Sequence, residues 1–99
     1  MPMHVITGRR LRQFWEHHQD AQGALQAWLA HVEREDWHTP ADVKRDHADA
    51  DILPDNRVIF NIKGNRYRLV VKIRYPSQVV YVRFVGTHEE YDRIDATRI

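Results

Sequence analysis

RVIFNIKGNRYRLVVKIRYPSQVVYVRFVGTHEEYD, residues 57–92, holds almost all of the chain's β-forming residues and decides the fold. Within it three runs alternate apolar with polar or basic residues: Arg57 to Lys63, Tyr67 to Tyr75, and Val79 to Val85. Gly64-Asn65-Arg66 and Pro76-Ser77-Gln78 separate them, and each is short enough for a hairpin connection. The pattern predicts a three-stranded antiparallel meander. Because side chains alternate with a period of two, Tyr67, Leu69, Val71, Ile73 and Tyr75 share one face, and Arg68, Val70, Lys72 and Arg74 the other. One face is expected to make a core and the other to carry cations. Seven Lys or Arg and no Asp or Glu fall between Arg57 and His88, an imbalance that suits a polyanionic partner. A solvated basic face kept for solubility and edge protection fits the same residues.

Toward the C-terminus, Gly86 is expected to end the third strand and Thr87 to cap a short helix, with Glu90 three residues on completing a capping box. His88 and Tyr91 then lie on one side of that helix. Imidazole and phenol can move protons or stack on a base. Equally, Tyr91 can pack the helix on the sheet and leave His88 at the surface.

Toward the N-terminus, Met3 to Ile6 reads as a first strand able to join the sheet, and Thr7 as the N-cap of a helix running to about Gln19. Asp20 is expected to cap a second helix to about Asp36, in which Leu25, Trp28, Leu29 and Val32 follow amphipathic spacing. The two helices would form a hairpin on the apolar face of the sheet, giving a two-layer α+β domain. Trp15, Trp28 and Trp37 fit helix–sheet packing better than base stacking. Thr39-Pro40-Ala41-Asp42 predicts a helix start with Pro in the first turn, running to about Asp46, and the rest up to Asn56 reads as an acidic loop. Asp46, His47, Asp49, Asp51 and Asp55 there are metal donors in kind. Their spacing lacks the glycine and closing glutamate of a calcium loop, so no metal site is expected.

Ninety-nine residues allow one small domain. Without cysteine, disulfides and thiolate chemistry are excluded. No apolar run reaches a membrane span and the first residues lack the apolar segment of a signal peptide, which suits a cytoplasmic protein. A formal net charge of +1 hides two unlike halves: residues 1–56 carry six basic and ten acidic groups, residues 57–99 nine and four.

The stretch FNIKGNRYRLVVKIRY followed by VYVRFVGTHEEYD resembles the signature of the HigB toxins, with weaker similarity at HVIT and around Trp37. That resemblance implies a small RelE-like α+β domain that cleaves messenger RNA, often on the ribosome. It also implies neutralisation by a helix-turn-helix antitoxin and a reaction without cofactor, in which the ribose 2′-OH attacks and leaves a 2′,3′-cyclic phosphate. It places Arg68, Arg83, His88 and Tyr91 at the catalytic positions. Such attack needs a base, cations for the phosphorane and an acid for the leaving 5′-oxygen. Arg68 and Arg83 suit the phosphate grip, His88 and Tyr91 the proton transfers, and Lys63, Arg66, Lys72 and Arg74 the flanking RNA. The same basic face would equally serve a non-catalytic RNA- or ribosome-binding module, or a domain that receives an acidic protein segment.

Overall fold

The computed structural model describes residues 2–99, and its centre is the hairpin pair the alternation predicts. Strands β1 (His4–Ile6), β2 (Asp51–Leu53), β3 (Arg57–Ile62), β4 (Tyr67–Arg74) and β5 (Val79–Thr87) form one sheet in the order β1-β5-β4-β3-β2. Helices α1 (Gly8–His17), α2 (Gln22–Arg34) and α3 (Pro40–Asp46) lie before β2, and α4 (His88–Asp92) follows β5. The architecture is the expected α+β one. Its sheet is mixed rather than wholly antiparallel, because β1 pairs in parallel with β5, His4 opposite Val79. The crossover through the helices is long enough to bring β1 back in that direction.

Leu11, Leu25, Val32, Trp37, Leu69, Val71, Ile73 and Val80 are all fully buried between helices and sheet. Trp28 and Trp37 therefore belong to the core, and Trp15 packs against it. Thr39 caps α3 reciprocally with Asp42, as the Thr-Pro-Ala-Asp sequence predicts. Four local expectations need correction. First, Asp20 does not cap α2: a single 3-10 turn, Gln19–Ala21, links it to α1, and the residue before α2 is Ala21 in helical conformation. The Asp20 carboxylate faces the sheet instead, accepting hydrogen bonds from the Tyr67 hydroxyl and from Arg66.

Second, the acidic loop contains β2, which pairs antiparallel with β3. The tight reversal comes from Asp55 and Asn56, both left-handed at φ 62° and 61°, a conformation those two residue types tolerate. Third, β5 does not stop at Gly86 but runs to Thr87, with Gly86 paired to Arg68. A Cβ at Gly86 would lie 2.5 Å from the Phe84 ring, so only glycine lets that ring lie over the strand.

Fourth, strict alternation fails in β5. Val70 pairs with Phe84 but Val71 with Val82, so Arg83 is an extra residue, a β-bulge. It lets Val82 and Val85 both join the main core while Phe84 faces the other way. There Phe84 meets Ile59, Val70, Tyr91 and Ala96 in a second apolar cluster. The outer face is therefore not a plain cationic surface; the C-terminal segment covers part of it.

Candidate active site

The end of β5, the start of β4 and α4 meet where three of the four expected catalytic residues, Arg68, His88 and Tyr91, cluster. The capping box forms in both directions: Glu90 N donates to Thr87 Oγ1 at 3.1 Å and Thr87 N to Glu90 Oε1 at 2.8 Å. The His88 amide donates to the Arg66 carbonyl at 3.1 Å, tying the first turn of α4 to the β3–β4 connection. These bonds fix where His88 starts its helix.

Arg68, opposite Gly86, reaches across to the imidazole, with Nη2 3.2 Å from His88 Nε2. On the other side of the ring, Nδ1 lies 3.2 Å from Asp92 Oδ2. A guanidinium can only donate, so Nε2 must accept; Nδ1 then carries the proton and donates to the carboxylate. The neutral tautomer with its lone pair on Nε2 is thus set by two neighbours. Tyr91 lies beneath the guanidinium, whose central carbon is 5.2 Å from the ring centroid, a cation–π contact. Its ring centroid is also 6.4 Å from that of Phe84, so Tyr91 packs α4 on the sheet as well. Arg68 Nε is buried and has no hydrogen-bond partner among the described residues. Beside His88 an open cleft of about 500 Å³ is lined by Arg66, Tyr67, Thr87, His88 and Glu89.

Arg83 is not part of this cluster. It stands three positions before Gly86 on β5, about 10 Å of strand. It is exposed and instead lines a groove of about 370 Å³ with Lys72, Arg74 and Tyr81. Among the described residues Arg74 and Arg83 have no ion-pair partner. Lys72 sits 3.0 Å from Asp55, which also accepts from Arg57 at 2.9 Å. The Lys72 hydrogen bond foremost holds the Asp55 carboxyl below its ordinary range. Lys63 and Arg66 both face Asp20, at 3.8 and 2.8 Å. Hydrogen bonds from Tyr67 and then Arg66 lower the Asp20 carboxyl to about 2, and the same bond raises the Tyr67 phenol.

Two residues were missed by sequence reasoning. Asp92 lies four residues after His88, the helical spacing that brings two side chains together, so its role was readable. Tyr81 stands opposite Lys72, and only the strand register reveals it. No helix of the described residues is long and apolar enough to cross a membrane.

Comparison with known proteins gives the family. Residues 21–94 match the HigB toxin family model, described as the RelE-like toxic component of a toxin–antitoxin system. The chain is 30% identical over 92 residues to the mRNA interferase toxin HigB of Escherichia coli K12, covering 91% of this chain and 88% of that protein. The same identity and coverage hold for the proteins named mRNA interferase HigB of Escherichia coli O157:H7 and Shigella flexneri. With three-quarters of its length inside the family model and the α+β layers in place, the chain belongs to the HigB family of RelE-like toxins.

Proposed function

We propose that the protein is an endoribonuclease toxin that cleaves messenger RNA by attack of a ribose 2′-OH on the adjacent phosphate. The observation that carries this reading is the His88 lone pair, aimed at a guanidinium and backed by Asp92. An incoming phosphate offers Arg68 a charged acceptor, a stronger partner than a neutral ring nitrogen. The guanidinium turns to it and leaves Nε2 free.

His88 Nε2 then takes the 2′-OH proton as the bond from O2′ to phosphorus forms. Asp92, holding Nδ1–H, stabilises the resulting imidazolium. Arg68 offsets the charge growing on the phosphorane oxygens, and the Tyr91 ring holds its plane. The bond from phosphorus to O5′ breaks, and the leaving oxygen takes a proton from the Tyr91 hydroxyl. The products are a 2′,3′-cyclic phosphate and a free 5′-hydroxyl, and no metal takes part.

Arg83, Arg74 and Lys72 hold phosphates along the outer face, with Tyr81 as a surface for one base to stack on. Lys63 and Arg66 exchange Asp20 for RNA on the other side of the cleft. The reading places the protein in the cytoplasm, acting on translated message at the ribosome and neutralised by a helix-turn-helix antitoxin.

Primer extension on messenger RNA, with and without ribosomes, tests the chemistry. His88→Ala and Tyr91→Phe are each expected to slow cleavage by about a hundredfold or more while RNA binding changes little. If both proteins, shown folded by circular dichroism, cleave at the wild-type rate, a non-catalytic binding module using the same face is the better reading.

A further inference from the structure

On the opposite side of the sheet from Arg68 and His88, three donors of different kinds converge. His31 and Glu35 stand one turn apart at the end of α2, and Asp46 is the last residue of α3. One ligand atom from each lies within 4.8 Å of the others, and all three residues are half-buried. We infer that His31, Glu35 and Asp46 form a binding site for a divalent transition-metal ion of the zinc class, separate from the RNA-cleaving centre.

The geometry argues for an ion rather than for a simple ion pair. His31 Nε2 is 3.8 Å from Glu35 Oε1 and 3.9 Å from Asp46 Oδ2, too far for a hydrogen bond to either. That nitrogen is also withdrawn from water and has no hydrogen-bond partner among the described residues. A single N–H could serve only one of the two carboxylates, and at these distances it serves neither. An ion with bonds of about 2.0–2.1 Å in a tetrahedral site spaces its ligand atoms by about 3.4 Å. The two distances from His31 exceed that by about half an ångström.

The supporting contacts are those that hold a ligand in place. Trp37 Nε1 donates to Asp46 Oδ2 at 2.9 Å and Arg45 Nε lies 3.3 Å from Oδ1, so the carboxylate is oriented before any ion arrives. The His47 ring is 5.1 Å from that of His31 between centroids, and its Nε2 is a second buried nitrogen without a partner among the described residues. His47 is not one of the three converging donors, so the fourth position would fall to water. An imidazole with two carboxylates favours zinc-like ions over calcium or magnesium, which prefer six or more oxygens. Of the loop donors considered in the sequence, Asp46 is a member of this group and Asp49, Asp51 and Asp55 are not. Binding would clip the ends of α2 and α3 together across the buried Trp37.

The test uses tag-free, full-length protein stripped with chelator. Isothermal titration with Zn²⁺ should show one equivalent bound, Co²⁺ should give the visible absorption of a four- or five-coordinate site, and Zn²⁺ should raise the thermal midpoint. His31→Gln and Glu35→Gln should each weaken binding by about tenfold or more, with midpoints in chelator close to wild type. His88→Ala should bind as wild type does. Should His31→Gln fail to fold, Glu35→Gln, altered at a partly exposed position, decides alone. Absence of binding overturns the inference, as does weak binding that survives these substitutions and is shared among the chain's seven histidines.

Discussion

Asp20 shows how one carboxylate can serve two layers. It belongs to the turn between α1 and α2, yet its oxygens are held by Tyr67 and Arg66 of the sheet side, with Lys63 nearby. Its carboxyl titrates at about 2 in the fold, against an ordinary value of 3.8. The folded form therefore binds its proton less readily than the unfolded chain, and the stability this contributes is complete above about pH 3.8. It is lost as the pH falls toward 2. Urea midpoints measured from pH 2 to 6 should show wild type above Asp20→Asn at the upper end, with the gap narrowing below pH 4; parallel curves would remove Asp20 from the acid limb. Sequence alone gave this residue a capping role, because Asp before a helical pattern usually has one. A partner 47 residues away took the carboxylate instead.

Among the elements, β5 joins the site to the fold. Gly86 pairs with Arg68, and the space where a Cβ would stand is occupied by the Phe84 ring. Gly86→Ala should cost about 1–3 kcal/mol through overpacking and displace Arg68 from His88. Chemical denaturation together with a cleavage assay checks both effects, and an unchanged midpoint would show that Phe84 swings away freely. Helices and the long strands were legible because their apolar residues recur at 3.6 or 2, and because Thr87 and Thr39 each begin a capping box. The bulge was not legible, since VYVRFVG reads as regular alternation until pairing shows which residue has no partner. Nor was β2, whose short run depends on two left-handed residues, Asp55 and Asn56. The same limit applied to the site: His88 and Tyr91 share a helix and could be grouped by spacing, whereas the separation of Arg83 from Arg68 depends on register.

At the scale of the whole molecule, the local excess of cations in residues 57–88 is partly answered by acids from elsewhere. Asp20 faces Lys63 and Arg66, and Asp55 faces Lys72 and Arg57. Arg74 and Arg83 have no such neighbour among the described residues, so the long-range attraction for RNA should centre on their groove. Arg83→Ala is expected to reduce the salt dependence of RNA binding by about one released counterion, as a lost phosphate contact does. Lys72→Ala, which leaves Asp55 to Arg57 alone, should lower affinity with a smaller change in slope. Equal slopes for Arg83→Ala and wild type, measured by titration at several salt concentrations, would remove the groove from the interface. The bulge has one more consequence, for chain length. Deleting Arg83 would leave Val82 opposite Val71 and Phe84 opposite Val70, an uninterrupted ladder in which no neighbour is turned over. Removing any other residue in the middle of β5 must be absorbed by losing the bulge or by inverting the strand around it. Arg83 is therefore the one position there that the ladder can omit, and its deletion should leave the core-facing and outward-facing residues of β5 on the sides they now occupy.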